Sequence, residues 1–260
     1  MNSSNLFSGP CLAAAVFAGL ISTSALAQSD PVRDLLQDFV ADYAMDPYVA
    51  EAQSFGIRID DRWFTVTAEP GQAALRDGMP ETPTYYFFGD AAAVEAVHSG
   101  QWSGLTSMVK EFSTDPAPLD MDVMEGFQPT ETFLNDLLGT AFHFWNRGQP
   151  EIIPFGRDHT RMTHGANAGV FYYQPGFRSG FFNIRPGQHV NENPDSQTNP
   201  FPSLFIVTEG WAYGRINGRD VRIEAGNAYF VPAGQDHQFW LPEDVEHEVN
   251  GFLFMFGDGA

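Results

Sequence analysis

The stretch Gly226–His237, GNAYFVPAGQDH, decides how the C-terminal half of the chain is read. Ala228–Val231 is a short strand-forming run, and residues that interrupt strands bound it on both sides: Gly226 before it, Pro232 and Gly234 after it. His237 follows, a single imidazole at a set distance from the turn. Outward from here the same punctuation recurs. Val170–Tyr173, Gly180–Ile184, Leu204–Thr208, Trp211–Ile216, Val221–Ile223 and Gly251–Phe256 read as strands, with turn residues between nearly all of them. Asn217-Gly218 is the strongest hairpin signal, because both central residues of the favoured turn must accept positive φ. Regular short strands with such turns predict an all-β sandwich or barrel.

The spacing Gly226-x5-Pro232-x-Gly234-x2-His237 resembles the second conserved motif of the cupin superfamily. Arg185-Pro186-Gly187 resembles the turn before that family's first motif, and Thr208-Glu209-Gly210 with the Asn217-Gly218 hairpin resembles the strand and turn that close it. The resemblance implies a double-stranded β-helix, or jelly-roll, barrel. In cupins the first motif supplies two histidines and a glutamate to a metal. Counting back from Gly210, the glutamate position falls here on Ser203 and the histidine positions on Ser196 and Thr198, while Leu241 replaces the trailing asparagine of the second motif. His189 and Glu192, just after the Pro186-Gly187 turn, are the candidates to complete a metal site with His237, with Asn191 as a weak oxygen donor. Imidazole plus carboxylate suits one divalent transition metal: iron, manganese or zinc. The other reading keeps His237 as a hydrogen-bonded polar group inside a metal-free barrel and His189 as a solvated loop residue.

A second cluster precedes the barrel, Arg157-Asp158-His159-Thr160-Arg161-Met162-Thr163-His164. Arg157 or Arg161 would pair with a carboxylate or other anion through two parallel N–H bonds, with His159 or His164 as proton donor. The plainer reading is a solvated connection held by surface ion pairs. His98, His143 and His247 read as ordinary helix or loop residues.

The first half has another pattern. Asp30-Pro31 is a helix cap followed by proline at the first helical position, and apolar residues then recur at helical spacing from Val32 to Tyr43. Gly56–Thr67 reads as a hairpin turning at Asp60-Asp61-Arg62, Thr84–Phe88 as a strand, Ala91–His98 as a helix, Leu119–Val123 as a strand and Phe133–Trp145 as a closing helix. This order resembles a sterol-carrier-protein-like module. The resemblance implies an apolar lipid tunnel, for which Phe87, Phe88, Trp102, Leu105, Met108, Phe127, Phe133 and Leu137 are candidate linings; the alternative is plain core. The expected organisation is thus a leader at residues 1–27, an α+β domain at 28–147 and an all-β cupin barrel at 148–260, divided at Arg147-Gly148-Gln149-Pro150.

Leu12–Ile21 is almost wholly apolar or small, and Ala25-Leu26-Ala27 has the small-x-small form that precedes signal cleavage, so the expected location is periplasmic or secreted. The run is too short to span a bilayer, so no stable membrane insertion is expected. A net charge of −20 opposes nucleic acid and anionic membranes as partners. The only cysteine, Cys11, lies in the leader, which removes disulfides and thiolate chemistry from the mature chain. Three functions remain open: an exported cupin-domain protein binding a small, partly apolar or carboxylate ligand; a metal-dependent cupin dioxygenase, isomerase or lyase; and a cell-envelope interaction protein using Phe171, Tyr172, Tyr173 and Phe177. The cupin resemblance also implies a homodimer paired through its sheets.

Overall fold

The computed structural model describes residues 30–148 and 150–260; the leader-like segment and Gln149 lie outside the described residues. The chain begins with α1 (Pro31–Tyr43), where the Asp30 carboxylate accepts from the Arg33 N–H at 3.2 Å and Pro31 starts the first turn. Leu36, Phe39, Val40 and Tyr43 form its buried face. β1 (Gln53–Ile59), β2 (Arg62–Glu69) and β3 (Gln72–Asp77) run as an antiparallel meander. The first hairpin turns where expected, at Asp60-Asp61, with Asp60 in the left-handed region. β3 carries one buried residue, Leu75, so no apolar alternation marks it in the sequence.

β4 (Tyr85–Gly89) lies parallel to β1, and β5 (Leu119–Val123) closes the sheet antiparallel to β4, giving the order β3-β2-β1-β4-β5. Between them lie α2 (Ala91–His98), capped by Asp90 to the Ala93 N–H at 2.7 Å, and the single turn α3 (Gly104–Ser107). α4 (Phe133–Phe144) completes this half. Helices and sheet enclose one core in which Phe39, Phe55, Phe64, Phe87, Phe144 and Trp145 are fully buried. Phe55 and Phe144 meet edge to face at 5.1 Å.

The barrel is built from β6 (Arg161–Thr163), β7 (Ala166–Gln174), β8 (Phe177–Ile184), β9 (His189–Val190), β10 (Ser203–Glu209), β11 (Trp211–Ile216), β12 (Arg219–Glu224), β13 (Asn227–Val231), β14 (His237–Trp240) and β15 (Val249–Phe256). A six-stranded sheet has the order β13-β10-β15-β8-β7-β6, and it faces a four-stranded sheet ordered β12-β11-β14-β9. From β10 onward the chain passes back and forth: β10 in the first sheet, β11 and β12 in the second, β13 back in the first, β14 in the second, β15 in the first. That exchange, with every pairing antiparallel, is the jelly-roll topology expected. Asn217 and Gly218 join β11 to β12 with φ of 50° and 66°, the left-handed pair such a hairpin needs.

β7 ties the halves together. It is paired to β8 in the barrel, yet its Val170 and Tyr173 pack against the core of the first half. The Ser103 hydroxyl donates to the Val170 carbonyl at 3.1 Å, and the Val170 N–H donates to Thr106 Oγ1 at 2.7 Å. Among the described residues no helix is long and apolar enough to cross a membrane.

Candidate functional site

His237 opens β14 and shares its inward parity with Phe239. Only 2% of it is exposed. Its N–H donates to the Gln197 carbonyl at 2.9 Å, and its carbonyl accepts from Asn191 Nδ2 at 3.2 Å. Burial holds the imidazole below its ordinary pKa, so the ring is neutral at neutral pH. The ring borders a cavity of about 610 Å³ inside the barrel. Phe205, Phe239 and Leu253 supply apolar wall from the barrel, and Leu105, Met108 and Val109 supply it from the first half.

The positions that the first-motif spacing assigns to the two histidines lie beside His237: Ser196 and Thr198 both line the cavity, and Thr198 bridges Asp236. Ser203, at the glutamate position, is buried with its hydroxyl lacking a partner. The side chains that the first-motif spacing places around His237 are therefore hydroxyls, and His164 is the other imidazole lining the cavity. A three-ligand site for iron, manganese or zinc needs further imidazoles or carboxylates, and these residues do not fit one.

Strand register separates His189 and Glu192 from His237. In the β14–β9 pairing Phe239 opposes Val190 and Trp240 opposes His189. Val190 thus points inward with Phe239, and His189 points outward, its ring nearly parallel to that of Trp240 at 6.3 Å. Glu192 is exposed just beyond. The two share a shallow surface depression with Glu111 and His164, while His237 stays inside.

The cluster ahead of the barrel also divides. Arg157 donates to Glu248 at 2.9 Å, and the His159 Nδ1 lies 2.9 Å from the Gly100 carbonyl oxygen. One amino group of Arg161 faces the carbonyls of Thr106, Ser107 and Val109 at 2.8–3.3 Å, with the guanidinium over the Trp102 ring. These three residues serve as structural fastenings. Of the four candidate arginines and histidines His164 alone reaches the cavity, beside Thr163. It forms the β6–β7 turn with Gly165, at φ of 50° and 78°. A Cβ on Gly165 would lie 1.9 Å from the His189 carbonyl oxygen, so only glycine lets β9 approach this closely. The His164 Nδ1 is buried without a hydrogen-bond partner, and burial lowers its pKa too.

Two features were not anticipated. Arg178 lines the cavity, and a lone arginine on the inward parity of an apolar strand was its only sequence signal. Asp46, His143 and Glu151 place their ligand atoms within 4.8 Å of one another, and this group could hold a metal ion. His143 Nδ1 lies 3.1 Å from Asp46 and 2.6 Å from Glu151, with its ring stacked on Tyr48 at 4.3 Å. These residues come from three separate segments, and no spacing connects them. Of the lipid-tunnel candidates, Phe87 and Leu137 are packed in the first core, while Leu105 and Met108 face the barrel cavity. In the aromatic segment, Phe171 joins Phe155, Phe181 and Phe252, Tyr172 packs on Phe142, and Phe177 lies near Phe254.

No protein-family model and no curated protein sequence matches the chain. Among solved structures it is similar to a cupin 2 conserved barrel domain protein from Salinispora arenicola, at 20% identity over 41% of this chain and 88% of that one, with a TM-score of 0.35. It is also similar to a predicted oxalate decarboxylase from Thermotoga maritima, at 14% identity over 35% of this chain and 79% of that one, TM-score 0.31. A cupin domain from Schizosaccharomyces pombe shares 11% identity over 55% of this chain and 80% of its own length, TM-score 0.33. Independently of these likenesses, the passage of strands between two facing sheets makes the C-terminal half a jelly-roll barrel.

Proposed function

We propose that this chain is a binding protein whose barrel cavity takes up a small, largely apolar molecule, with His164 and His237 as its neutral polar contacts. The observation that carries this reading is the cavity of about 610 Å³, walled by aromatic and aliphatic side chains and bordered by two imidazoles that burial keeps uncharged. Concave, mostly apolar sites with few polar groups are the usual form of small-molecule pockets. A neutral imidazole both donates and accepts, and the His164 Nδ1 has no partner within the protein, so a ligand hydroxyl or carbonyl would satisfy it. The competing metal-dependent enzyme reading has weaker support, because Ser196, Thr198 and Ser203 replace the acids and imidazoles that a metal beside His237 requires.

Leu105, Met108 and Val109 belong to the wall, so the functional unit in this reading is both halves together. The test is titration of the mature chain with the uncharged apolar fluorophore N-phenyl-1-naphthylamine. About one molecule should bind per chain, and Ala168→Leu, which projects a larger side chain into the cavity, should abolish binding while the chain stays folded. Binding that survives this substitution, or no binding at all, would sink the assignment.

A further inference from the structure

Arg178 is the part of the cavity wall that the function proposed above leaves unused. β8 alternates, and its Phe182 and Ile184 belong to the barrel core, so Arg178 faces inward with them. It stands in register with Tyr173 on one side and Met255 on the other. The guanidinium carbon lies 4.4 Å from the centre of the Tyr173 ring and 5.1 Å from that of Phe201. One amino group donates to the Gly259 carbonyl at 3.1 Å. The Nε is buried and has no hydrogen-bond partner.

The surrounding charges make this vacancy specific. Arg33, Arg62, Arg76, Arg147, Arg157, Arg215 and Arg222 each pair with a carboxylate, whereas Arg58, Arg161, Arg178, Arg185 and Arg219 have no such partner among the described residues; of these five Arg178 alone lines the cavity and has a buried Nε without a hydrogen-bond partner. Of the neighbouring cations, Lys110 pairs with Asp120 and Arg161 is held by three carbonyls. Glu111 and Asp195 also line the cavity, but both are exposed and would turn an anion away from its solvent side. A buried guanidinium N–H is costly without an acceptor, and a carboxylate is the acceptor that also offsets its charge.

We propose that Arg178 anchors an acidic head group, so that the ligand is an amphipathic acid whose apolar body lies against Phe205, Phe239 and Leu253. This rests on the barrel cavity being the binding site. Isothermal titration with decanoate and with decan-1-ol separates the two claims. In Arg178→Gln, decanoate affinity should fall by roughly tenfold or more, while decan-1-ol affinity should change by less than about twofold, since it offers no charge to the guanidinium. Arg178→Lys keeps the charge and the contact with Tyr173 and Phe201 but loses the fork, and should show a smaller decanoate-specific loss. If the glutamine variant does not fold, the lysine variant carries the test alone. An equal loss for both ligands in a folded variant, or unchanged decanoate affinity, overturns the role of Arg178. A wild type that binds decan-1-ol but not decanoate overturns it as well and leaves the cavity reading standing. Binding of neither ligand removes both.

Discussion

The two halves of the chain bury aromatic side chains with equal enthusiasm for phenylalanine and reach opposite results. In the first half Phe39, Phe55, Phe64, Phe87, Phe144 and Trp145 close on one another. In the barrel Phe205, Phe239 and Leu253 surround an open volume of about 610 Å³. Helices settle against a sheet until side chains interlock, so the α/β layers can shrink onto their contents. Two hydrogen-bonded sheets facing each other are held roughly 10 Å apart, and the residues facing the gap include Gly169, Gly180, Ser196 and Thr198. At Gly180 a Cβ would lie 2.5 Å from the Gly169 carbonyl oxygen. Aromatic content does not decide which half is hollow; the placement of small residues on a stiff frame does.

The comparison breaks first under truncation. Phe144→Ala should cost about 3–5 kcal/mol, because it opens a void in a close-packed core, whereas Leu253→Ala should cost less than about 2 kcal/mol, since that side chain already borders empty space. Denaturant unfolding measures both, and equal losses would mean the barrel interior is not hollow in solution. The reverse substitution sharpens the point. Ala141→Leu, at a fully buried position, should destabilise by about 1–3 kcal/mol through overpacking, while Ala168→Leu should stay within about 1 kcal/mol because the cavity absorbs the added carbons.

The smallest expected difference is in acid. His164 and His237 have folded-state pKa values lowered from 6.5 by burial. The unfolded chain therefore binds more protons, so their contribution is complete above 6.5 and is lost as pH falls below it toward the folded values. In the first half, Asp30 is lowered from 3.8 to about 2 by its hydrogen bond to Arg62, and its contribution is lost only between those values. Stability measured from pH 7 to 3 should decline first through the barrel histidines. The double variant His164→Asn, His237→Gln should flatten the upper part of that profile, and an unchanged profile would contradict the buried, neutral state of both rings.

Alternation and turn glycines make the long barrel strands legible, and the capped helices α1 and α2 are marked by Asp30 and Asp90. β6, β9 and β14 are not, because two to four residues are too few to establish a period. His237 is readable from its motif, and Ser196, Thr198 and Ser203 from spacing alone. The outward turn of His189 is not, because one step of register decides a side chain's face and the pairing partner Trp240 is distant in sequence. Arg157, His159 and Arg161 resemble a binding cluster because the carbonyls and the carboxylate that occupy them belong to other segments.

β7 belongs to the ladder of one half and to the core of the other, and the cavity opens along the same seam. A molecule inside would touch Leu105 and Met108 as well as Phe205 and Leu253, adding adhesion between parts that are otherwise joined by hydroxyl contacts, the fastenings of Arg161 and His159, and a strip of apolar contact. By linkage, whatever loosens the halves must also weaken the grip on the guest, and the guest must return the favour by the same factor. The cargo is then also a dowel.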